Sequence, residues 1–208
     1  MPDINSLIMF LTASTLLAFA PGPDNIFVLS QSIAYGRSAG YKITLGLCTG
    51  LLVHTSVVAF GIAAIFQTSL MAFNILKYAG VVYLLYLAYL TFRHSGDKVE
   101  IQAGNNGRKI NLYRRGIIMN VTNPKVSIFF MAFLPQFASP ENGSITFQII
   151  ILGFLFIVVT VLVFGLISFL AGSIGGILAG SSKFEKWLNL FAGTVLASLA
   201  VKLALTER

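Results

Sequence analysis

The sequence predicts an all-α integral membrane protein with six transmembrane helices. Of its 208 residues, 56% are hydrophobic and only 10% are charged, whereas a soluble domain carries about 25% charged residues. The mean hydropathy is +0.85. A helical span needs about 20 apolar residues to cross the hydrocarbon core, so a chain of this length with short loops has room for about six. We therefore expect a single membrane domain over residues 1–208.

Apolar segments bounded by glycine, proline and charged residues define the predicted spans. They lie near 5–33, 43–68, 75–93, 113–137, 146–172 and 187–205. The stretch 96–111 is polar and basic, and we interpret it as a flexible cytoplasmic linker. It separates a first half, about 1–95, from a second half, about 112–208.

Basic residues concentrate in alternate loops. The first, third and fifth loops contain Arg37, Lys42, Arg93, Lys98, Arg108, Lys109, Arg114, Arg115, Lys183 and Lys186. By the positive-inside rule these loops are cytoplasmic, and both termini lie on the outer, periplasmic side. The formal charge of +7 then belongs at the membrane surface, and we expect no nucleic-acid partner.

Two short matches suggest that the halves repeat each other. Residues 23–27 match 124–128 at an offset of 101, and residues 78–80 match 191–193 at an offset of 113. Each half has three spans, so the second half enters the membrane from the opposite side. The prediction is therefore two inverted three-helix repeats, a plan common among transporters that alternate access around a midplane site.

The sharpest motif is Pro21, Gly22, Pro23, Asp24 and Asn25, inside the first span. The two prolines remove two backbone donors and disfavour helical angles in the residues before them, so helix 1 should be broken here. Within a membrane, a break is tolerated only against protein or a water-filled cavity. The second half-helix would point its free amides into that cavity, where they suit a carboxylate. The alternative is a proline kink that Asp24 and Asn25 merely cap.

The fourth span repeats this device with Asn123, Pro124 and Lys125, so helix 4 should also be broken. Lys125 lies about ten residues, or roughly 15 Å, beyond Arg115 and hence deep in the membrane. A lysine at that depth needs a partner, and Asp24 is the only acid inside the predicted spans. We expect the two to face each other or share a cavity, either as a working site or as a static ion pair.

Three other side chains are candidates for coupling or for the cavity wall. His54, in the middle of the second span, could bind substrate or carry a proton because its charge changes near neutral pH. A hydrogen-bonded structural histidine explains it equally well. Tyr83 and Tyr86 could offer hydroxyls or ring faces to an ammonium group, although packing alone explains most such tyrosines. The single cysteine, Cys48, and the absence of Cys/His sets with metal-ligand spacing indicate no metal site and no cofactor.

Together these motifs resemble the lysine-exporter superfamily of bacterial permeases, in particular its homoserine/threonine-exporter branch, often called LysE/RhtB. The resemblance covers essentially the whole chain. It implies efflux of an amino acid or derivative of the threonine, homoserine or homoserine-lactone type across the bacterial inner membrane. The proton gradient would drive this efflux, and the protein would often be a homodimer. The substrate-binding positions that it transfers are Pro21, Gly22, Pro23, Asn123, Pro124 and Lys125. Asp24 is compatible with the same pattern.

The residues thus favour a secondary transporter that has a small amino-acid substrate, protons and the lipid bilayer as its partners. In this hypothesis the amides after Pro23 and the Lys125 ammonium hold the substrate carboxylate, while Asp24 binds its amine. Asp24 or His54 would carry the coupling proton. A passive small-solute channel is one alternative. A membrane enzyme is another, but the sequence contains neither HExxH nor GxSxG.

Overall fold

The computed structural model describes residues 2–20, 22–62, 70–93, 111–178 and 182–205, and nearly all of these residues are helical. The first helices are α1 (Ile4–Phe19), α2 (Pro23–Tyr35), α3 (Arg37–Val57, continued by a π-helical turn, Val58–Ile62) and α4 (Leu70–Arg93). Next come α5 (Leu112–Thr122), α6 (Pro124–Ile128), a π-helical turn (Phe129–Phe133) and two 3₁₀ turns (Leu134–Phe137 and Pro140–Asn142). The last two helices are α7 (Ile145–Leu178) and α8 (Ser182–Leu205). The predicted linker, 96–111, falls almost wholly outside the described residues.

Local sequence explains where several helices begin. The Asp3 carboxylate caps α1 by accepting hydrogen bonds from the amide and hydroxyl of Ser6 at 2.9 and 2.7 Å, and these bonds lower the pKa of Asp3. Asn111 caps α5 in the same way. Gly36 and Gly143 have φ angles of 78° and 98°, which glycine adopts without strain, and they turn the chain before α3 and α7.

Helix α3 packs closely against α5, and the two run in parallel. Gly46 and Gly116 face each other at this contact. A Cβ on Gly116 would lie 2.5 Å from the Ile43 carbonyl oxygen and 3.1 Å from the Gly46 Cα. One turn further along, Gly50 lies against Asn120. Small residues on one face of each helix thus bring the two backbones together.

Helix α3 also packs against α7, in the antiparallel sense. Gly40, near the start of α3, lies against Ser168, and Thr55, near its end, lies against Gly153. Residues 37–57 therefore contact α5 on one side and α7 on the other. This central position makes α3 the scaffold for the polar residues described below.

Helices α4 and α8 form a second antiparallel pair. Gly80 of α4 lies against Leu203 of α8, and Gly193 of α8 lies against Phe92 of α4. These two glycines belong to the matched triplets 78–80 and 191–193. Each glycine thus contacts a side chain of the opposite helix: Leu203 of α8 packs on Gly80, and Phe92 of α4 packs on Gly193.

Two apolar clusters fill the interior. The phenylalanine cluster, with neighbouring ring centroids 5.0–6.2 Å apart, joins α1, α7 and the turns after α6. Its members are Phe10, Phe129, Phe130, Phe133, Phe137 and Phe156. The aliphatic cluster joins α2, α3 and α7 through Val28, Ile43, Leu47, Val159 and Val163.

Three helical segments in the described part are long and apolar enough to span a membrane: Arg37–Gly61, Asn74–Arg93 and Ile145–Ala171. The number rises to five if each of the bent pairs α1/α2 and α5/α6 counts as one span. The segment Asn189–Leu205, on the sixth predicted span, is apolar but shorter. The described residues thus confirm an all-helical protein with three to five candidate membrane spans.

We expect Gly116→Ala to lower the thermal stability of the protein, because a Cβ there would force α3 and α5 apart. Overpacking of this kind costs roughly 1–3 kcal/mol. The measurement is the Tm of the detergent-purified protein, taken as the temperature at which half of the protein is no longer monodisperse after heating. Gly165→Ala on α7 is the matched control, since a Cβ there meets nothing within 4 Å. Equal Tm values for both variants would contradict the close approach of α3 and α5.

Candidate functional site

The predicted break in helix 1 is present between α1 and α2, which meet at an angle of 56°. Helix α1 ends at Phe19, and α2 begins at Pro23 with Gly22 in an extended conformation before it. Pro23 cannot donate a hydrogen bond to α1, and together with the extended Gly22 it ends the helix here. Pro21 lies outside the described residues.

The carbonyl groups at the end of α1 are bound by side chains. The Asn25 side-chain amide donates to the Ala18 carbonyl at 2.7 Å. Lys125 reaches across from α6, and its Nζ donates to the carbonyls of Ala20 at 2.8 Å and Leu17 at 3.3 Å. A cation at a helix C-terminus is favourable because that end carries partial negative charge. Lys125 therefore caps α1.

The predicted break in helix 4 is also present, with an angle of 51° between α5 and the chain that begins at Pro124. The Asn123 side-chain oxygen caps α6 by accepting from the Lys125 amide at 3.0 Å. Pro124 has no N–H to offer the Asn120 carbonyl, four residues before it. That oxygen instead lies 3.0 Å from the Asn123 amide and 3.1 Å from the Nε2 of His54.

His54 thus binds a free carbonyl at the end of α5, as Lys125 binds free carbonyls at the end of α1. A carbonyl oxygen can only accept a hydrogen bond, so Nε2 of His54 carries the proton and donates it. The imidazole also packs on Phe130, with the ring centroids 5.6 Å apart. This arrangement favours the interpretation of His54 as a hydrogen-bonded structural histidine.

Asp24 is buried in the first turn of α2, with 3% of its surface exposed. The side-chain amides of Asn123 and Asn120 face its carboxylate, and Lys125 and His54 act on it electrostatically. Lys125 makes its hydrogen bonds to the α1 carbonyls and none to Asp24. Asp24 and Lys125 therefore interact electrostatically, without the direct contact that a static ion pair between them would need.

Asp24 and Lys125 lie in the wall of one small internal cavity of about 20 Å³, room for about one water molecule. The other polar residues of its wall are Asn120 and Thr160. The rest of the wall is apolar and comes from both clusters. Leu17, Leu51, Val126 and Phe156 belong to the region of the phenylalanine cluster, and Ala18, Leu47 and Phe164 belong to the aliphatic cluster. The cavity thus lies where the two apolar clusters meet.

Several buried polar atoms around the two breaks lack a hydrogen-bond partner. They are the Oδ1 atoms of Asp24, Asn25 and Asn120 and the Nδ2 atom of Asn123. Buried polar groups are nearly always paired, so a group of unpaired ones within a protein requires an explanation. A polar solute that enters between the broken helices would supply the missing donors and acceptors.

The structure separates some predicted site residues from others. Gly22 lies against Lys125, since a Cβ there would be 3.1 Å from Nζ. Tyr83 and Tyr86 contact each other on α4, with Tyr86 53% exposed, and they do not line the cavity. Conversely, Asn120 was not among the predicted site residues. Its signal was available, because an asparagine four residues before a mid-span proline sits where a carbonyl must lose its helical partner.

Comparison with known proteins gives a consistent result. Residues 15–207 match the family described as LysE type translocator. A homoserine/homoserine lactone efflux protein of Salmonella typhimurium is 35% identical over 198 residues, which are 94% of this chain and 94% of that protein. The uncharacterized membrane protein YrhP of Bacillus subtilis is 28% identical over 212 residues, 98% of this chain and 100% of that protein. No solved structure matches significantly.

The family match covers nearly the whole chain, and the Salmonella relative is aligned along almost all of its own length. These findings confirm the family that the motifs predicted. The protein belongs to the LysE family of translocators, and it is therefore a membrane transporter and not an enzyme.

Proposed function

We propose that the protein exports a small amino-acid-type solute, of the homoserine or homoserine lactone kind, by alternating access around the cavity between its broken helices. The observation that carries the proposal is the group of buried, unpaired polar atoms at the two breaks. Homoserine and homoserine lactone are the solutes in the name of the Salmonella relative. Both have an ammonium group next to a carbonyl carbon.

The polar groups at the cavity complement such a solute. The Asp24 carboxylate in the cavity wall would accept from the ammonium group. The Asn123 side-chain amide lies outside that wall, and it would donate to a carboxylate or carbonyl oxygen when the broken helices separate. An ammonium ion has three N–H donors, and Lys125 uses two of them on the carbonyls of α1. Its third N–H remains for the solute, so Lys125 can cap α1 and bind the solute at the same time.

Transport requires that the cavity open. Its volume of about 20 Å³ is far below the roughly 300–1,000 Å³ of typical small-molecule sites, so in this proposal the conformation is an occluded one. We propose that the phenylalanine cluster closes the site toward one side of the membrane and the aliphatic cluster closes it toward the other. If one cluster separates at a time, the solute passes without a continuous pore.

The proposal includes six spans arranged as two inverted three-helix repeats, about 1–95 and 112–208. The reciprocal contacts of Gly80 and Gly193 support it, because an axis that exchanges the halves would also exchange these contacts. The packing of α3 on α5 and of α1 and α2 on α7 supports it in the same way. In each repeat the first span is the broken one.

We also propose proton antiport through Asp24. A buried carboxylate can hold either a proton or the ammonium group of the solute, and exclusive occupancy couples inward proton movement to outward solute movement. Asp24 has an unpaired oxygen for this purpose. The Nε2 atom of His54 is already bound to the Asn120 carbonyl, which favours Asp24 as the proton carrier.

We expect Asp24→Asn to slow the loss of the exported solute from cells by roughly tenfold or more, because a hydrogen bond to a charged group contributes about 1.5–3 kcal/mol. Cells that overproduce the protein are loaded in turn with isotope-labelled homoserine, threonine, leucine and lysine, and retention is followed with and without a protonophore.

Glu141→Gln, at an exposed acid outside the site, is the matched control and should export normally. Both variants must reach the membrane in equal amounts. Normal, protonophore-sensitive export by Asp24→Asn would exclude the proposed site. Loss of solute that neither saturates nor responds to the protonophore would indicate a passive channel.

The proposed orientation is testable with single cysteines in a Cys48→Ala background. Ser144 precedes α7 and Ser38 is near the start of α3, both exposed, and the antiparallel packing of these helices puts them at opposite ends of the bundle. We expect a membrane-impermeant thiol reagent to label Ser144→Cys in intact cells, and Ser38→Cys only after the cells are opened. The reverse pattern would invert the topology and place the termini in the cytoplasm.

A further inference from the structure

Helix α7 meets the cavity through a small side chain between two large ones. Thr160 lines the cavity wall, and so do Phe156 and Phe164, four residues before and after it. Residues four apart lie on one face of a helix, roughly 6 Å from each other along its axis. The side chain of threonine is much shorter than that of phenylalanine. We call the resulting space, over Thr160 and between Phe156 and Phe164, the side-chain notch.

The two ends of the side-chain notch belong to different apolar clusters. The ring of Phe156 packs on Phe129 and Phe130 in the phenylalanine cluster, with centroids 5.2 Å apart in both pairs. Phe164 belongs to the aliphatic cluster. In the proposed cycle only one cluster separates at a time, so the solute passes through a state in which both phenylalanines enclose it. Their separation then limits what fits between them.

The side-chain notch lies apart from the charged groups of the wall. Asp24 is on α2 and Lys125 is on α6, and in the proposed function they bind the groups at the α-carbon of the solute. Helix α3 packs against α5 on one side and against α7 on the other. A solute that is held at the breaks by its ammonium group and its carbonyl group therefore directs its side chain toward α7.

What Thr160 offers to this side chain is space. Its hydroxyl donates to the Phe156 carbonyl at 2.8 Å, so the hydroxyl hydrogen is already used within α7. Thr160 is only 3% exposed, and the cavity beside it has a volume of about 20 Å³. Protein interiors are close-packed, so a difference of one methylene group at such a position changes the fit.

We propose that Thr160 is a specificity-determining residue, whose size sets the longest solute side chain that the side-chain notch accepts. This inference rests on the proposed function and deepens it, because it restricts the substrate class to α-amino acids with short side chains and their lactones. A smaller residue at position 160 deepens the side-chain notch, and a larger residue fills it.

The test uses a series of straight-chain amino acids whose side chains grow by one carbon at a time: alanine, 2-aminobutyrate, norvaline and norleucine. Each competes with isotope-labelled homoserine for transport by the purified full-length protein in proteoliposomes, and the concentration for half-maximal inhibition is measured. We expect the wild type to prefer a short member of the series. The first member that is too long should compete roughly tenfold less well, as is typical of one methylene group in an apolar pocket.

Two substitutions change the size of residue 160 in opposite directions. We expect Thr160→Ala to shift the preferred side-chain length up by about one carbon and Thr160→Ile to shift it down by about one. Both variants lose the hydroxyl, so opposite shifts cannot come from the lost hydrogen bond. Thr44→Ala is the matched control, because Thr44 is also buried and donates to a carbonyl of its own helix, Gly40, at 2.9 Å, but does not line the cavity. It should leave the preferred length unchanged.

An unchanged or shorter preferred length in Thr160→Ala would overturn the inference, and this variant decides the matter even if Thr160→Ile does not fold. Shifts of both variants in the same direction would also overturn it, since they would indicate a general loosening of the cavity. If the wild type transports neither homoserine nor any member of the series, the proposed function itself is contradicted. The two failures are therefore distinguishable.

Discussion

The structure depends on one constraint: a backbone carbonyl inside a membrane must have a donor. Where the two broken spans end a helix at a proline, carbonyls lose their helical donors, and three side chains supply donors to four of them. Lys125 and Asn25 bind the carbonyls at the end of α1, and His54 binds Asn120 at the end of α5. Because these side chains must reach the breaks, they also bring the polar ends of the half-helices together at one cavity.

This arrangement lets a polar site exist between two apolar clusters. In our proposal the two clusters close the site toward opposite sides of the membrane, and the Asp24 carboxylate in the cavity wall between them binds the solute. Groups that are already paired, such as the Nε2 of His54, contribute rigidity. Groups left unpaired are the ones that we propose bind the solute.

The sequence was informative where the cause is local. Proline removes a donor wherever it occurs, so both breaks could be predicted, as could a common cavity for Asp24 and Lys125. The hydrogen bonds of Lys125 could not, because they depend on the crossing of α6 and α1. For Asn120 the sequence predicts only that its carbonyl loses a helical partner to Pro124, whereas its place in the cavity wall depends on the register of α3 against α5, which the Gly46 and Gly116 contact sets. Tyr83 and Tyr86 looked suitable by chemistry, but their helix packs against α8.

The capping of α1 by Lys125 bears on how the protein is made. The donor that satisfies the Ala20 carbonyl comes from a residue 105 positions later in the chain. When the ribosome has released only the first half, that carbonyl lacks its native cap, and the half-helix must be shielded by the insertion machinery or by water. Biogenesis is therefore complete only when both halves have met, and each half, expressed as a separate fragment, should require the other for survival in the membrane.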